Sequence, residues 1–332
     1  MEHYKSCRLC PRDCGVNRIA GETGFCGETD ILRIGTAVIH CGEEPPLTGQ
    51  GGSGTIFVSG CNLGCSFCQN YQVSKGENDA SGGRKSLGKA VTPGEFAQIC
   101  IALCDKGAEN INIVTGSHAI PGITAGIDAA REKGVNIPVL WNSSGYEAVN
   151  ALELLKNHVD IFLPDLKTLD SGISSRFFNA SDYPETAAAA IIKMIDIISK
   201  KAVENAKEKI IIRHLILPGY LDSTYSVLRW FAQNAKDRAM LSLMTQYTPV
   251  TSSHNKNANE NMQNAQAVTK REMPQRYLSE EEYETVMYWL KKLDIEDGFC
   301  QELVTGNDWL PDFRLINPFS SELSIPVWSC LN

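Results

Sequence analysis

The chain has 332 residues, 43% of them hydrophobic and 21% charged, enough to bury a sizeable core in an ordinary globular protein. Its 39 acidic and 31 basic side chains leave a net charge of -8, which excludes the basic excess of a broad nucleic-acid surface. No apolar run reaches the roughly 18 residues that span a bilayer. The first seven residues, from Met1 to Cys7, lack the apolar core of a signal peptide, so the expectation is a cytoplasmic protein without nucleic-acid or membrane partners.

In chain order, residues 1–54 are rich in Gly, Pro and Cys, with one alternating apolar stretch at 31–39. This predicts a metal-clipped extension with a short hairpin, too poor in apolar side chains to fold unaided. A second domain, 55–332, begins where apolar runs of strand length start to alternate with amphipathic stretches. Strands are predicted at 55–59, 111–115, 137–142, 161–166, 210–217 and 241–247, apolar nearly throughout as parallel strands covered on both faces are. Helices are predicted between them. One follows the Thr92-Pro93-Gly94-Glu95 capping signal and ends near Gly107. Others cover 120–133, 146–157 and 184–207, the last with Ile191, Ile195 and Ile198 on one face. Asp222 is expected to cap a helix over 224–236, and Ser279 with Glu282 a final one running to about Leu293. Residues 252–272, dominated by Asn, Gln, Ala and Ser, read as a mobile surface loop. Six β-then-α units in a row imply an α/β fold with a parallel sheet.

The 12 cysteines carry the chemical signal. Seven fall into two groups, and disulfides are unusual in a chain without a secretion signal. Cys7, Cys10, Cys14 and Cys26 are spaced C-x2-C-x3-C-x11-C. Four thiolates can close a tetrahedral zinc site or bind an iron–sulfur cluster, and this spacing leaves both open. Cys61, Cys65 and Cys68 form C-x3-C-x2-C directly after the first strand. Three thiolates on one side of a tight loop can hold three irons of a [4Fe–4S] cube and leave the fourth iron open; a zinc loop or three buried cysteines is the plainer alternative. Cys100 and Cys104, one turn apart on a predicted helix, read as core packing, and Cys41, Cys300 and Cys330 have no partner pattern.

The C-x3-C-x2-C spacing, with Phe67 before its last cysteine, resembles the signature of radical S-adenosylmethionine (radical SAM) enzymes. The likeness extends through residues 7–14 (CRLCPRDC), 52–61 (GSGTIFVSGC), 69–71 (QNY), 141–146 (WNSSGY), 164–167 (PDLK) and 213–219 (RHLILPG). In these segments the chain is similar to homologues of pyruvate formate-lyase activating enzyme. The resemblance implies a partial (β/α)6 TIM-like barrel, a [4Fe–4S] cluster on Cys61, Cys65 and Cys68, and SAM chelated at the open iron. It implies reductive cleavage of SAM to a 5′-deoxyadenosyl radical that takes a hydrogen atom from the substrate. It also implies a reductant such as flavodoxin or ferredoxin and, in this branch, a glycyl radical enzyme as protein substrate. Modification of a small molecule, a lipid or another protein is the alternative, and a non-catalytic iron–sulfur electron carrier is the alternative of another class.

Chemistry in such a barrel gathers at the C-terminal ends of the strands, where Cys61, residues 115–118, 142–144 and 165–167, Arg213-His214 and Gln246-Tyr247 all fall. By resemblance, Phe67, Asn142, Ser143, Ser144, Asp165, Lys167, Arg213 and His214 are the cofactor-facing set, with Lys167 paired to the SAM carboxylate and Asp165 and Asn142 on its methionyl end or on a nearby cation. Two departures stand out. Relatives often have Asp at the position of Asn142, and the Gly-Gly-Glu element that grips the SAM amino group is replaced by residues 115–118.

Overall fold

The computed structural model describes residues 2–78, 84–201, 203–249, 273–307 and 309–332; the stretch 252–272, expected as a loop, lies outside the described residues. Strand β1 (Arg33–His40) runs antiparallel to β2 (Ser53–Val58). From β2 the sheet continues in parallel through β3 (Ile111–Val114), β4 (Val139–Ser143) and β5 (Ile161–Pro164). Bridges pairing Phe162 with Ile210 and Asp165 with Arg213 carry it on to β6 (Ile211–Leu215) and β7 (Met240–Met244). Several additions were not expected: β8 (Gly298–Cys300), parallel to β7; β9 (Ser324–Ser329), antiparallel to β1; and the two-residue pairings of Lys89–Ala90 with β1 and of Glu77–Asn78 with Arg84–Lys85. The result is the expected α/β fold with a parallel sheet, an incomplete barrel in which all six predicted strands are present. The short hairpin expected in the extension takes a longer-range form, because β1 joins the main sheet across the 54/55 position and is covered in turn by the chain's last strand.

The main helices are α1 (Pro93–Asp105), α2 (Ile120–Glu132), α3 (Ser171–Phe178), α4 (Tyr183–Ser199), α5 (Leu221–Asn234) and α6 (Glu280–Lys292). Their apolar faces, including Phe96, Ile127, Ile191, Ile195, Ile198 and Phe231, pack in one core with Ile56, Ile113, Trp141, Phe162 and Ile212 of the strands. Cys100 is buried in that core. Among the described residues no helix is long and apolar enough to cross a membrane.

Three helix expectations are corrected. The predicted helix 146–157 shrinks to Val149–Leu152 and a following 3-10 turn, because Tyr146 is buried with its hydroxyl on Asp182 and its ring stacked on Tyr183. The predicted 184–207 helix ends at Ser199, where its buried apolar face runs out. Asp222 lies in the first turn of α5 instead of capping it, since Ser223 N–H already donates to Tyr220 O at 3.0 Å. Helix α3 was missed. Its signals were local and short: Asp170 accepts from Gly172 and Ile173 N–H at the start, and Asn179 in the left-handed region ends it.

Both predicted capping boxes form, Thr92 with Glu95 and Ser279 with Glu282. Glu282 does more than cap. Its carboxylate accepts from Gly219 N–H at 2.7 Å and from both terminal nitrogens of Arg276. Burial pushes its pKa up, but the Arg276 guanidinium and the Ser279 and Gly219 amides outweigh burial and hold it at about 2. A folded pKa below the unfolded one stabilises at pH above the unfolded value and is lost as pH falls through the folded value. Glu282→Gln is therefore expected to cost about 2 kcal/mol at pH 7, a difference from wild type that narrows below pH 4.5 and closes near pH 2. Denaturant melts across that range check it.

Candidate functional site

The loop that leaves the C-terminal end of β2 carries the cysteine trio. Gly60, at φ +83°, opens the loop where an added Cβ would meet Glu28 Cγ at 2.4 Å and Cys26 O at 3.1 Å. Only glycine permits that approach, so the trio's loop lies directly against the N-terminal extension. Cys61 Sγ accepts from Leu63 N–H at 3.3 Å, and Cys68 Sγ stands 3.4 Å from Ser74 Oγ. Burial pushes the Cys65 thiol up, the Lys167 ammonium opposes it, and Cys68 and Cys61 add to the rise. Cys68 is raised by burial and by Cys61 in the same way. The three thiols are thus close enough to act on one another, and Cys65 on Lys167 as well. As neutral thiols they are poor ligands; metal binding would deprotonate them.

Among the described residues no three Cys, His, Asp or Glu side chains stand close enough to share a single metal ion, and this holds for both cysteine groups. A cube asks for something different, one thiolate on each of three separate irons. The donor set, three free thiols on one loop, fits such a cluster.

The loop is clamped from three directions. Arg12 donates to Asn62 O at 2.9 Å, Leu63 O at 3.0 Å and Asn179 O at 2.5 Å, and its guanidinium lies 3.7 Å from the Phe25 ring centroid. Ser66 N–H donates to Phe177 O at 2.8 Å, tying the loop to the end of α3. Phe67 is buried edge-on to Phe178 and tilted against Tyr247, so its ring braces the loop from inside.

Next to the trio stands a buried charge network. Arg213 Nε donates to Asp165 Oδ1 at 3.1 Å, another of its nitrogens donates to Asn142 Oδ1, and a third lies 3.5 Å from Glu43 Oε2. Lys167 Nζ donates to Asp165 Oδ2 at 2.5 Å. Burial pulls Arg213 down, but Asp165, Glu43 and Glu44 together lift its pKa above the ordinary value. Burial likewise pushes Asp165 up, and Lys167 and Arg213 outweigh it and hold the carboxyl below its usual range. The backbone beneath is fixed by Tyr183, whose hydroxyl lies 2.8 Å from Ser144 O and 2.9 Å from Asp165 O and accepts from Lys167 N–H. Gly145, at φ +75°, lets Asp165 O come so near that an added Cβ would sit 2.2 Å from it.

The expected cofactor-facing residues therefore divide. Asn142, Asp165, Lys167 and Arg213 are brought together, with Cys65 beside Lys167. Ser143 and Ser144 are buried just behind, with Ser143 Oγ 3.3 Å from Gly145 N. His214 is not brought to the group. Its Nδ1–H donates to Leu166 O at 2.7 Å and its Nε2 accepts from Thr224 at 3.0 Å, facing α5, and burial pulls its pKa down to about 4. Sequence reasoning missed Glu43, Glu44, Asn112 and Tyr183, and it read Arg12 with Arg8 and Arg18 as offsetting the charge of the N-terminal thiolates, not as a clamp on the second cysteine loop. The pair Glu43-Glu44 before two prolines and a strand was a visible oddity, but nothing local says that it enters the barrel.

In the extension, Cys10 is pushed up to about 12 by burial, with Cys26, Cys7 and Cys14 adding to the rise. Phe25 N–H donates to Cys14 Sγ at 3.4 Å, and the buried Arg18 reaches Cys7 Sγ at 3.7 Å. A cavity of about 840 Å³ at the feet of α3 and α5, lined by Asp170, Tyr220 and Arg276 among others, includes none of the cysteines.

Residues 55–231 match the radical SAM superfamily. The chain is 32% identical over 246 residues to an uncharacterised protein of Methanocaldococcus jannaschii, a match covering 74% of this chain and 67% of that one. Among solved structures, SuiB of Streptococcus suis bound to precursor peptide SuiA aligns with 14% identity and a TM-score of 0.48, over 73% of this chain and 46% of SuiB. The chain thus spans about half of SuiB's length. QueE from Escherichia coli aligns with 15% identity and a TM-score of 0.38, over 67% of this chain and 87% of QueE.

Because Arg12 satisfies backbone carbonyls on the cysteine loop and at the end of α3, Arg12→Ala leaves them unpaired, a loss of about 1–3 kcal/mol. Amide hydrogen exchange in residues 60–68 is expected to speed up at least about tenfold, while exchange in β3 to β5 stays at the wild-type rate. Equal exchange in the loop would remove Arg12 from its support.

Proposed function

The chain belongs to the radical SAM superfamily, whose members are enzymes using SAM radical chemistry on a [4Fe–4S] cluster, and from that premise we propose that it takes a hydrogen atom from a substrate held in the barrel lumen. The protein that best fits the sequence resemblance as substrate is a glycyl radical enzyme, with a backbone glycine as hydrogen donor. A one-electron donor such as flavodoxin or ferredoxin completes the cycle. The observation that carries the reading is the bonded group of Lys167, Asp165, Arg213 and Asn142 at the strand ends, beside a cysteine loop whose Asn62 donates to Tyr146 O at 2.6 Å just after β4.

When bound, the cluster and SAM supply the electron and the hydrogen-abstracting group. The chain's own residues position and insulate. Cys61, Cys65 and Cys68 would hold the cluster. Lys167 would offer its ammonium to the SAM carboxylate, with Asn142 and Asp165 placed to order the methionyl end. Arg213 keeps Asp165 ionised, since a lone buried carboxylate would neutralise instead. Phe67 braces the loop and Ser143 and Ser144 support the strand end, while His214 sets the spacing between β6 and α5. The four N-terminal cysteines would hold one further metal centre, zinc or a second iron–sulfur cluster, and a single zinc would have to draw the thiols closer than they stand here; either metal would order an extension with few apolar side chains of its own.

Two experiments test this. Changing Cys61, Cys65 and Cys68 together to Ala is expected to remove the cluster's iron and abolish 5′-deoxyadenosine formation with dithionite and SAM, while circular dichroism stays native. Continued SAM cleavage by the triple variant sinks the assignment; a wild-type cluster that is reducible but indifferent to SAM would make the protein an electron carrier.

The second is a Cys10→Ser, Cys14→Ser variant, expected to lose one defined metal equivalent and to become protease-sensitive before Thr55. Elemental analysis identifies what was lost: about one zinc beside about four irons, or about eight irons without zinc. Full metal content and protease resistance would show that these cysteines are not a ligand set.

A further inference from the structure

The interior of a β/α barrel is ordinarily filled by apolar layers. The lower layer here obeys that rule, with Leu47, Leu140, Ile161, Leu163 and Ile211 in one buried cluster. The layer above it does not. Glu43 and Glu44 reach it from the β1–β2 connection, whose helical turn Pro45–Thr48 is anchored by Leu47 in the apolar floor and by Asn110 Nδ2 donating to Leu47 O at 2.6 Å. Glu43 Oε1 accepts from Asn112 at 3.0 Å and from Asn142 at 3.4 Å. These bonds place both asparagines on the concave face.

Neither the charges nor the hydrogen bonds of this layer balance. Three carboxylates, Glu43, Glu44 and Asp165, face two cations, Arg213 and Lys167. Arg213 spreads its donors over Asp165, Asn142 and Glu43, and Lys167 is bonded to Asp165. Glu44 is 9% exposed, and its Oε2 has no partner among the described residues; nor has Oδ1 of the fully buried Asn112. Glu43 Oε2 keeps only a long contact to Arg213, 3.5 Å. Glu44 Oε2 and Asn112 Oδ1 are both oxygens that accept when Glu44 is ionised, and buried acceptors without donors are strongly disfavoured; burial raises the Glu44 carboxyl, a rise that a bound cation would oppose. The side chains of Glu43, Asp165, Arg213 and Lys167 stay 11 to 16% exposed, so the lumen reaches the layer.

We propose that this layer binds a protonated amine of the substrate. An ammonium brings one positive charge and three donors on a single atom, which answers the excess carboxylate and the three weakly served acceptors, Glu44 Oε2, Asn112 Oδ1 and Glu43 Oε2. A carboxylate or phosphate would add charge of the wrong sign. The amine is either that of a small molecule or a lysine side chain of a protein substrate. The inference rests on the reading of the lumen as the substrate site.

Anaerobic calorimetry of the reconstituted protein with SAM present tests it, using n-propylammonium, Nα-acetyl-lysine amide, propionate and n-propanol as probes. Both amines are expected to bind, with propionate and propanol at least about tenfold weaker. Glu44→Gln and, separately, Asn112→Ala are expected to weaken amine binding, the former at least about tenfold. Tighter binding of the lysine derivative assigns a protein side chain, and tighter propylammonium a small amine. Propionate binding as well as the amines, absence of amine binding to wild type, or unchanged affinity in a folded Glu44→Gln variant overturns the inference. The wild-type selectivity decides even if the variants do not fold. Wild-type 5′-deoxyadenosine formation is read in parallel: SAM cleavage without amine binding defeats this inference alone, and amine binding without SAM cleavage defeats the reading of function.

Discussion

A guanidinium withdrawn from most of its water has to be neutralised where it stands, and Arg213 is that group. Its partners come from three distant segments: Asn142 at the end of β4, Asp165 after β5, and Glu43 from the β1–β2 connection. A buried charge left unpaired is far more costly than an exposed one, so these segments are fixed relative to one another by Arg213. Lys167 extends the pairing to the mouth of the barrel, where Cys65 feels its charge. The site is therefore one electrostatic unit running from the barrel's middle to the cysteine loop.

The N-terminal extension is part of this construction. Arg12 serves carbonyls on the cysteine loop, and Lys75, just beyond that loop, donates to Phe25 O at 2.9 Å with its ammonium over the same ring that Arg12 covers. Gly60 brings the loop within van der Waals reach of Glu28 and Cys26. His118 closes the contact from the barrel side. Its Nε2–H donates to Ser59 O at 2.7 Å, its own carbonyl accepts from Arg18 at 2.6 Å, and burial holds the ring neutral, with a pKa of about 3. The two cysteine groups share one layer of packing, which couples order in the extension to order in the loop.

Much of the molecule is legible in its sequence, through signals that act over a few residues. Six apolar runs of strand length, the capping boxes at Thr92 and Ser279, and the spacing of seven cysteines each declare themselves within a short window, and each is where it was expected. What failed locally failed for a tertiary reason. Tyr146 leaves the helical pattern because its hydroxyl and ring find Asp182 and Tyr183. His214 sits beside Arg213 in sequence yet faces the opposite side of the sheet, since successive residues of a strand point to opposite faces.

The sequence by itself determined the class of fold and the family, and marked the two cysteine groups as candidate ligands, because hydrophobic period, caps and cysteine spacing are properties of neighbouring residues. Only the tertiary structure decided which polar side chains share the lumen. Glu43 and Glu44 look like surface acids in the linear chain. They become the floor of a charged layer because Leu47 anchors the turn after them in the apolar bottom of the barrel and Arg213, some 170 residues further on, supplies the charge that lets Glu43 stay buried. Pairing over that distance exists only once the sheet has formed, and no local pattern encodes it.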